Sequence, residues 1–189
     1  MATTEAAHAL TLNYRIDADD RIIAVNDAWG EFAEANDGGE VVADKVIGRS
    51  LWDFVSGEGI AELYWQMIRR ARAGHPVEFT YRCDAPEWRR LFRMTVRAHE
   101  HGVVEFRSVL EWEEPRPKVQ LLDCHQTRDA RWTRVCSWCQ QVAVADEVWL
   151  PVEEAVARLD LLAAETMPQL THGICPACRD GMMRKLQPA

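Results

Sequence analysis

No run in this sequence approaches the ~18 consecutive apolar residues that a membrane-spanning helix requires, so no span is expected. A basic excess is missing as well. Lys and Arg number 22 against 30 Asp and Glu, a formal net charge of −8. Nucleic acids and anionic lipid surfaces both select a basic face, so neither is an expected partner. The opening "MATTEAAHAL" has no basic stretch leading into an apolar one, which argues against secretion. Also missing are a GxxxxGK[ST] phosphate loop, an HExxH arrangement, a kinase Asn/Gly nucleotide box and a recognisable helix-turn-helix. Internal repeats and low-complexity tracts are not found either.

What is present is ordinary globular composition, 48% hydrophobic and 28% charged, in a chain long enough to bury a real core as one large domain or two small ones. The acidity is uneven. Residues 1–127 carry 15 basic against 22 acidic side chains, and residues 128–189 carry 7 against 8. Six cysteines without a secretion signal point to a reducing compartment, and the cytoplasm is the expected location. Clustered cysteines there bind metal or do redox work more often than they staple a fold.

The Ala/Thr-rich start reads as loose. "NYRID" and "RIIAV" read as a hairpin, and "NDAWGEFAEAN" as a short helix that Asn26 or Asp27 can cap. The strongest helical signal follows: Ile60, Leu63, Tyr64, Met67, Ile68 and Ala71 form one apolar stripe, with Gly74 as its C-terminal stop. Three segments with period-two alternation come next. Val77, Phe79, Tyr81 and Cys83 face one way; so do Trp88, Phe92, Met94, Val96 and Ala98; so do Val104, Phe106, Ser108 and Leu110. They predict an antiparallel meander, apolar on one side. "EEPRPKVQ" opens a linker over 113–127. Beyond it, "QQVAV" reads as a short strand, and Pro151 begins a helix carrying Val152, Val156, Leu159 and Ala163 to about residue 163.

At this point a family resemblance is visible. "RIIAVNDAWGEFA", "VIGRSLWDFV" and "RRARAGHPVEFTYRC" stand in the order and spacing of a PAS domain, so that residues 12–112 resemble that family. The resemblance implies an α+β fold, a five-stranded antiparallel sheet with helices on one face, serving as a sensor and dimerisation module. It also implies a small molecule held between sheet and helices. The candidate lining is Trp29, Phe32, Trp52, Phe54, Leu63, Tyr64, Met67, Phe79, Tyr81, Phe92, Met94 and Phe106, residues that serve equally well as a dry core. The reactive Asn-Cys-Arg stretch of the flavin photosensors is not found, and no histidine lies between Ile60 and Gly74, where haem-binding members place one. Neither haem nor flavin is expected. His75 precedes Pro76 and reads as a turn residue, while His99 and His101 flank a hairpin turn.

Chemistry concentrates in "RVCSWCQQV" and "THGICPACRD". Two Cys-x-x-Cys turns supply four soft ligands in the tetrahedral arrangement that zinc accepts, so Cys136, Cys139, Cys175 and Cys178 are the expected ligands of a structural zinc. The 35 intervening residues exceed the spacing of compact ribbons, and the helix near 151–163 would fill them by packing across the knuckles. His172, three residues before Cys175, could replace a cysteine or hydrogen-bond a ligand sulfur. Adjacent Cys124 and His125 are set aside, since neighbouring side chains seldom converge on one ion. Cys83 reads as a buried free thiol. Redox pairing is the alternative, but it wants Cys-x-x-Cys at a strand–helix junction in a βαβ setting, which neither pair is expected to have, and two pairs close together would trap metal first. The stretch also resembles a Cys-Ser-Trp-Cys…His-Gly-Ile-Cys-Pro-x-Cys tail found at the ends of bacterial signalling proteins.

The expected organisation is therefore a PAS-like sensor at 12–112, a linker at 113–127 and a small zinc-stabilised α/β module at 128–189. The expected function is non-enzymatic signalling through a protein partner or a small ligand, with a homodimer implied by the family alone. A thiol- or metal-dependent redox enzyme and a zinc-dependent transcriptional regulator are the competing readings.

Overall fold

Period-two alternation becomes a sheet where one face meets helices and the other meets water. The computed structural model describes residues 9–55, 57 and 59–187; most of the start expected to be loose lies outside them. β1 (Thr11–Ile16) and β2 (Ile22–Val25) form the hairpin, followed by α1 (Asp27–Ala35), α2 (Ala43–Val46), a 3-10 turn at Leu51–Asp53 and α3 (Ile60–Arg72). β3 (Val77–Arg82), β4 (Trp88–Ala98) and β5 (Val104–Pro115) complete an antiparallel sheet of order β2-β1-β5-β4-β3. Ile60, Leu63, Met67, Ile68 and Ala71 of α3 are all buried, as their spacing predicts, and Gly74 takes φ +89° just beyond the helix. The opposite face of the sheet is laced with cross-strand ion pairs, among them Arg15–Glu105 at 2.9 Å and Arg93–Glu78 at 3.0 Å.

Three details of this half differ from expectation. Trp88 is 39% exposed rather than inward, because the β4/β5 register shifts between Leu91 and Phe92 and turns the earlier residues out of phase. Asn26 occupies the cap position of α1, but its side chain ties that turn to β1, accepting from the Asn13 amide at 3.0 Å and donating to the Thr11 carbonyl at 2.8 Å. The segment expected as a linker is packed. Its first three residues finish β5, Leu121 is fully buried, and the Arg116 guanidinium is buried against Asp84 and Glu153.

The rest forms a second sheet of order β8-β7-β6-β9, made of β6 (Arg128–Cys136), β7 (Val142–Ala145), β8 (Val148–Leu150) and β9 (Met167–Gly173). β6 and β9 run parallel, so the chain between them makes a crossover through β7, β8 and α4 (Val152–Arg158). The helix expected to reach residue 163 stops early. Asp160 adopts φ +59°, and the amides of Leu161 and Asp160 close back onto the carbonyls of Val156 and Ala157, a Schellman stop that leaves Ala163 outside and exposed. α4 packs with Val119, Leu121, Val135, Val142, Leu161 and Met167 in a small core of its own, and does not lie across the cysteines. α5 (Pro176–Leu186), not anticipated, packs on α3. Among the described residues, no helix is long and apolar enough to cross a membrane.

Candidate metal centre and adjoining cleft

β6 ends at Cys136 and β9 at Gly173, and those two residues are register partners. Parallel pairing therefore delivers both Cys-x-x-Cys turns to the same end of adjacent strands, which brings residues 36 positions apart together. In the first turn the Gln140 amide reaches the Cys136 carbonyl at 2.9 Å, with Gln140 in the left-handed region at φ +61°. In the second, Cys175 is the N-cap of α5 with Pro176 behind it, and its sulfur accepts from the Cys178 amide at 3.4 Å. The Cys175 amide donates to the Cys136 sulfur, also at 3.4 Å.

The four sulfurs lie within 4.8 Å of one another, and Cys139 and Cys175 stand 3.8 Å apart. On a tetrahedron with metal–sulfur bonds of about 2.3 Å, sulfurs are about 3.8 Å apart, so the donor set fits a four-coordinate divalent ion. Without a cation the thiols compete for one negative charge. Thiol hydrogen bonds from Cys139 and Cys178 hold Cys136 well below its usual range, while those same bonds push Cys139 and Cys178 up. A bound cation removes that conflict by stabilising every thiolate. His172 is exposed and lies outside the sulfur cluster. The second pair does occupy a strand–helix junction, contrary to the sequence reading, because β9 and α5 were not foreseen.

The centre is not an appendage. Cys136, Trp138, Cys175 and Met182 belong to the same core as Tyr14, Met67, Phe79 and Phe106 of the first sheet. The Trp138 ring sits 5.6 Å from Phe79 and 6.1 Å from Tyr64, and its carbonyl accepts the Arg82 amide at 2.7 Å. Beside it opens a cleft of about 450 Å³ between the sheet and the helices. Of the residues proposed as lining, Trp29, Phe54, Tyr64, Phe79, Tyr81 and Met94 border it. The others do not border it. Phe106 stacks under Tyr14 at 4.5 Å, Phe92 lies under Tyr81 at 5.6 Å and meets Phe32 edge-on at 5.8 Å, and Leu63 and Met67 are wholly within the core. Trp52 instead donates its indole N–H to Asp20 at 3.0 Å.

Sequence reading missed the wall that the cysteine turns supply, Ser137 and Trp138 with His172, and it missed Tyr14 and Ser108 on the sheet. Tyr14 and Ser108 alternate inward with residues that were recognised; Trp138 gave no signal beyond lying between two of the clustered cysteines. Burial pushes the Tyr14, Tyr64 and Tyr81 hydroxyls up, and Tyr81 donates to Ser108 at 3.0 Å. Elsewhere, Asp37, Cys124 and His125 do bring ligand atoms within 4.8 Å of one another, because Asp37 reaches back to the adjacent pair; all three are exposed. Cys83 is partly buried, and burial raises its thiol.

No protein-family model matches the chain, and no curated protein matches it. Among solved structures it is similar to a domain of an HTR-like protein from Haloarcula marismortui. The identity is 13%, the match covers 54% of this chain and 96% of that one, and the TM-score is 0.34. A likeness at that level carries no functional argument.

Proposed function

We propose that this chain is a sensory module of the PAS kind whose C-terminal part is organised by one structural zinc, and that it works by binding rather than by catalysis. The observation that carries the reading is the four-sulfur cluster built into the core of the first sheet. Four thiolates are the donor set of closed, structural zinc sites, which leave no open position for a substrate. The adjoining cleft supports a binding role. Among the described residues, its titratable lining consists of His172 and three tyrosines whose hydroxyls burial has made harder to ionise. Tyrosine hydroxyls of that kind are poor general bases at neutral pH, which leaves His172 as the one conventional acid–base group in the described lining.

The order of two strands, helices and three strands supports the PAS reading. A protein partner, a homodimer and a cytoplasmic location belong to the same proposal. Elemental analysis of the purified full chain tests it: one zinc per chain is expected, with no haem or flavin absorbance. A metal-free chain with a titratable disulfide would overturn the reading in favour of redox work. That second reading has one observation behind it, the strand–helix junction at Cys175 and Cys178.

A further inference from the structure

The two halves of the site described above share a wall, and from that we infer a coupling: the cleft takes an uncharged, largely apolar aromatic ligand, and metal binding and ligand binding strengthen each other. The inference rests on reading the cysteine cluster as a metal centre.

Ligand class follows from the lining. At about 450 Å³ the cleft falls within the roughly 300–1,000 Å³ typical of small-molecule sites. None of its described lining residues is Asp, Glu, Lys or Arg. Tyr81 already donates to Ser108 at 3.0 Å, and Ser108 donates in turn to the Met94 sulfur at 3.4 Å, so these two hydroxyls are engaged within the wall. An ionised ligand would give up its hydration here and meet no permanently charged side chain among the described lining residues, His172 at the exposed end of β9 being the one that can carry a charge. Aromatic walls favour flat, uncharged rings.

Coupling follows from connectivity. Ser137 and Trp138 are the two residues between Cys136 and Cys139, so the turn that presents two sulfurs to the metal also presents two side chains to the cleft. The Ser137 amide is fixed by the Gly173 carbonyl at 2.9 Å, on the strand that leads to the second pair. Trp138 is 6% exposed, and its indole N–H is buried without a partner. No side-chain hydrogen bond of its own therefore holds the ring; ring packing and the metal-binding turn do. A metal that orders this turn pays in advance the entropy of ordering the wall, so the ligand meets a preformed surface. Linkage makes the effect reciprocal, and the ligand must tighten the metal by the same factor.

The test uses the purified full chain and two fluorescent probes that share one skeleton, uncharged N-phenylnaphthylamine and its sulfonated, anionic form, anilinonaphthalene sulfonate. With zinc bound, the uncharged probe is expected to bind saturably at one per chain, and the sulfonate at least about tenfold more weakly. Stripping zinc with a chelator should weaken the uncharged probe by about tenfold, and saturating probe should lower the equilibrium constant for zinc transfer to a competing chelator by the same factor. Trp138→Ala should keep one zinc and lose probe affinity; Val25→Trp, which fills the cleft from β2, should abolish probe binding with zinc retained. If Trp138→Ala fails to fold, the comparison of zinc-loaded and zinc-stripped wild type decides alone. Equal probe affinity in those two states overturns the coupling while leaving the metal centre intact. Equal binding of the sulfonate, or no saturable binding with zinc present, overturns the ligand class. A chain that takes up no zinc overturns the metal reading itself.

Discussion

Gly57 holds φ +110°, and a Cβ built there would stand 2.7 Å from the His172 carbonyl oxygen and 2.8 Å from Ile60. Backbone of the approach to α3 thus touches backbone at the end of β9, a contact only glycine permits. Gly57→Ala is expected to lower stability by about 1–3 kcal/mol in denaturant unfolding, through strain and enforced separation. Gly30 is the opposite case. It lies inside α1 with nothing within 4 Å of its Cβ position, so Gly30→Ala should raise stability by about 0.5–1 kcal/mol. At this scale the four clustered cysteines were legible, because Cys-x-x-Cys pairs are written in local spacing. Trp138 was not, because what it touches, Tyr64 and Phe79, lies far away in sequence.

Strands that alternate between core and water announce themselves, which is why β3, β4 and most of β5 could be read directly from Val77, Phe79, Phe92, Met94, Val104 and Phe106. β6 and β9 hide. In β6 the large apolar residue, Trp132, is 67% exposed while Thr133 is buried and donates its hydroxyl to the Ala143 carbonyl, inverting the usual polarity. β9 carries Pro168, which reads against a strand but is tolerated because β9 is an edge. The junction between the sheets depends on Arg116, which donates to the carbonyls of Ala85 and Pro86 and pairs with buried Asp84 and with Glu153 of α4. Arg116→Met is expected to cost about 3 kcal/mol, near the low end for breaking a buried pair, because Arg82 still holds Asp84 at 2.6 Å. Adding Asp84→Asn should recover part of that loss in the unfolding midpoint.

Two carboxylates flanking the entry to β6 give the same region an acid sensitivity. The Lys118 ammonium, then the His125 amide, holds Asp123 down at about 2, and Arg131 does the same for Asp129. Folded-state values below the ordinary 3.8 mean the ionised forms favour the native state. Their contribution is fully present above about pH 4 and is lost as pH falls toward 2. Urea midpoints should therefore hold near neutrality and fall below about pH 4, more steeply in the wild type than in an Asp123→Asn, Asp129→Asn double variant.

For the whole molecule, the sequence suggested a sensor that would stand without its tail. The shared core of Phe79, Phe106, Cys136, Trp138 and Cys175 argues for one cooperative unit. Cys136→Ser, or zinc removal, is expected to lower amide protection in β3 and β5 together with that around Leu121 and Val142. Protection retained in the first sheet alone would show two independent units. The parallel pairing of β6 and β9 also orders events in time. Cys175 emerges from the ribosome 36 residues after Cys139, roughly 2–7 s later at ordinary synthesis rates, so during that interval the nascent chain presents half a thiolate cage. Trp138 therefore cannot take its final seat against Phe79 until β9 has paired with β6, so one wall of the cleft waits on the far end of the crossover.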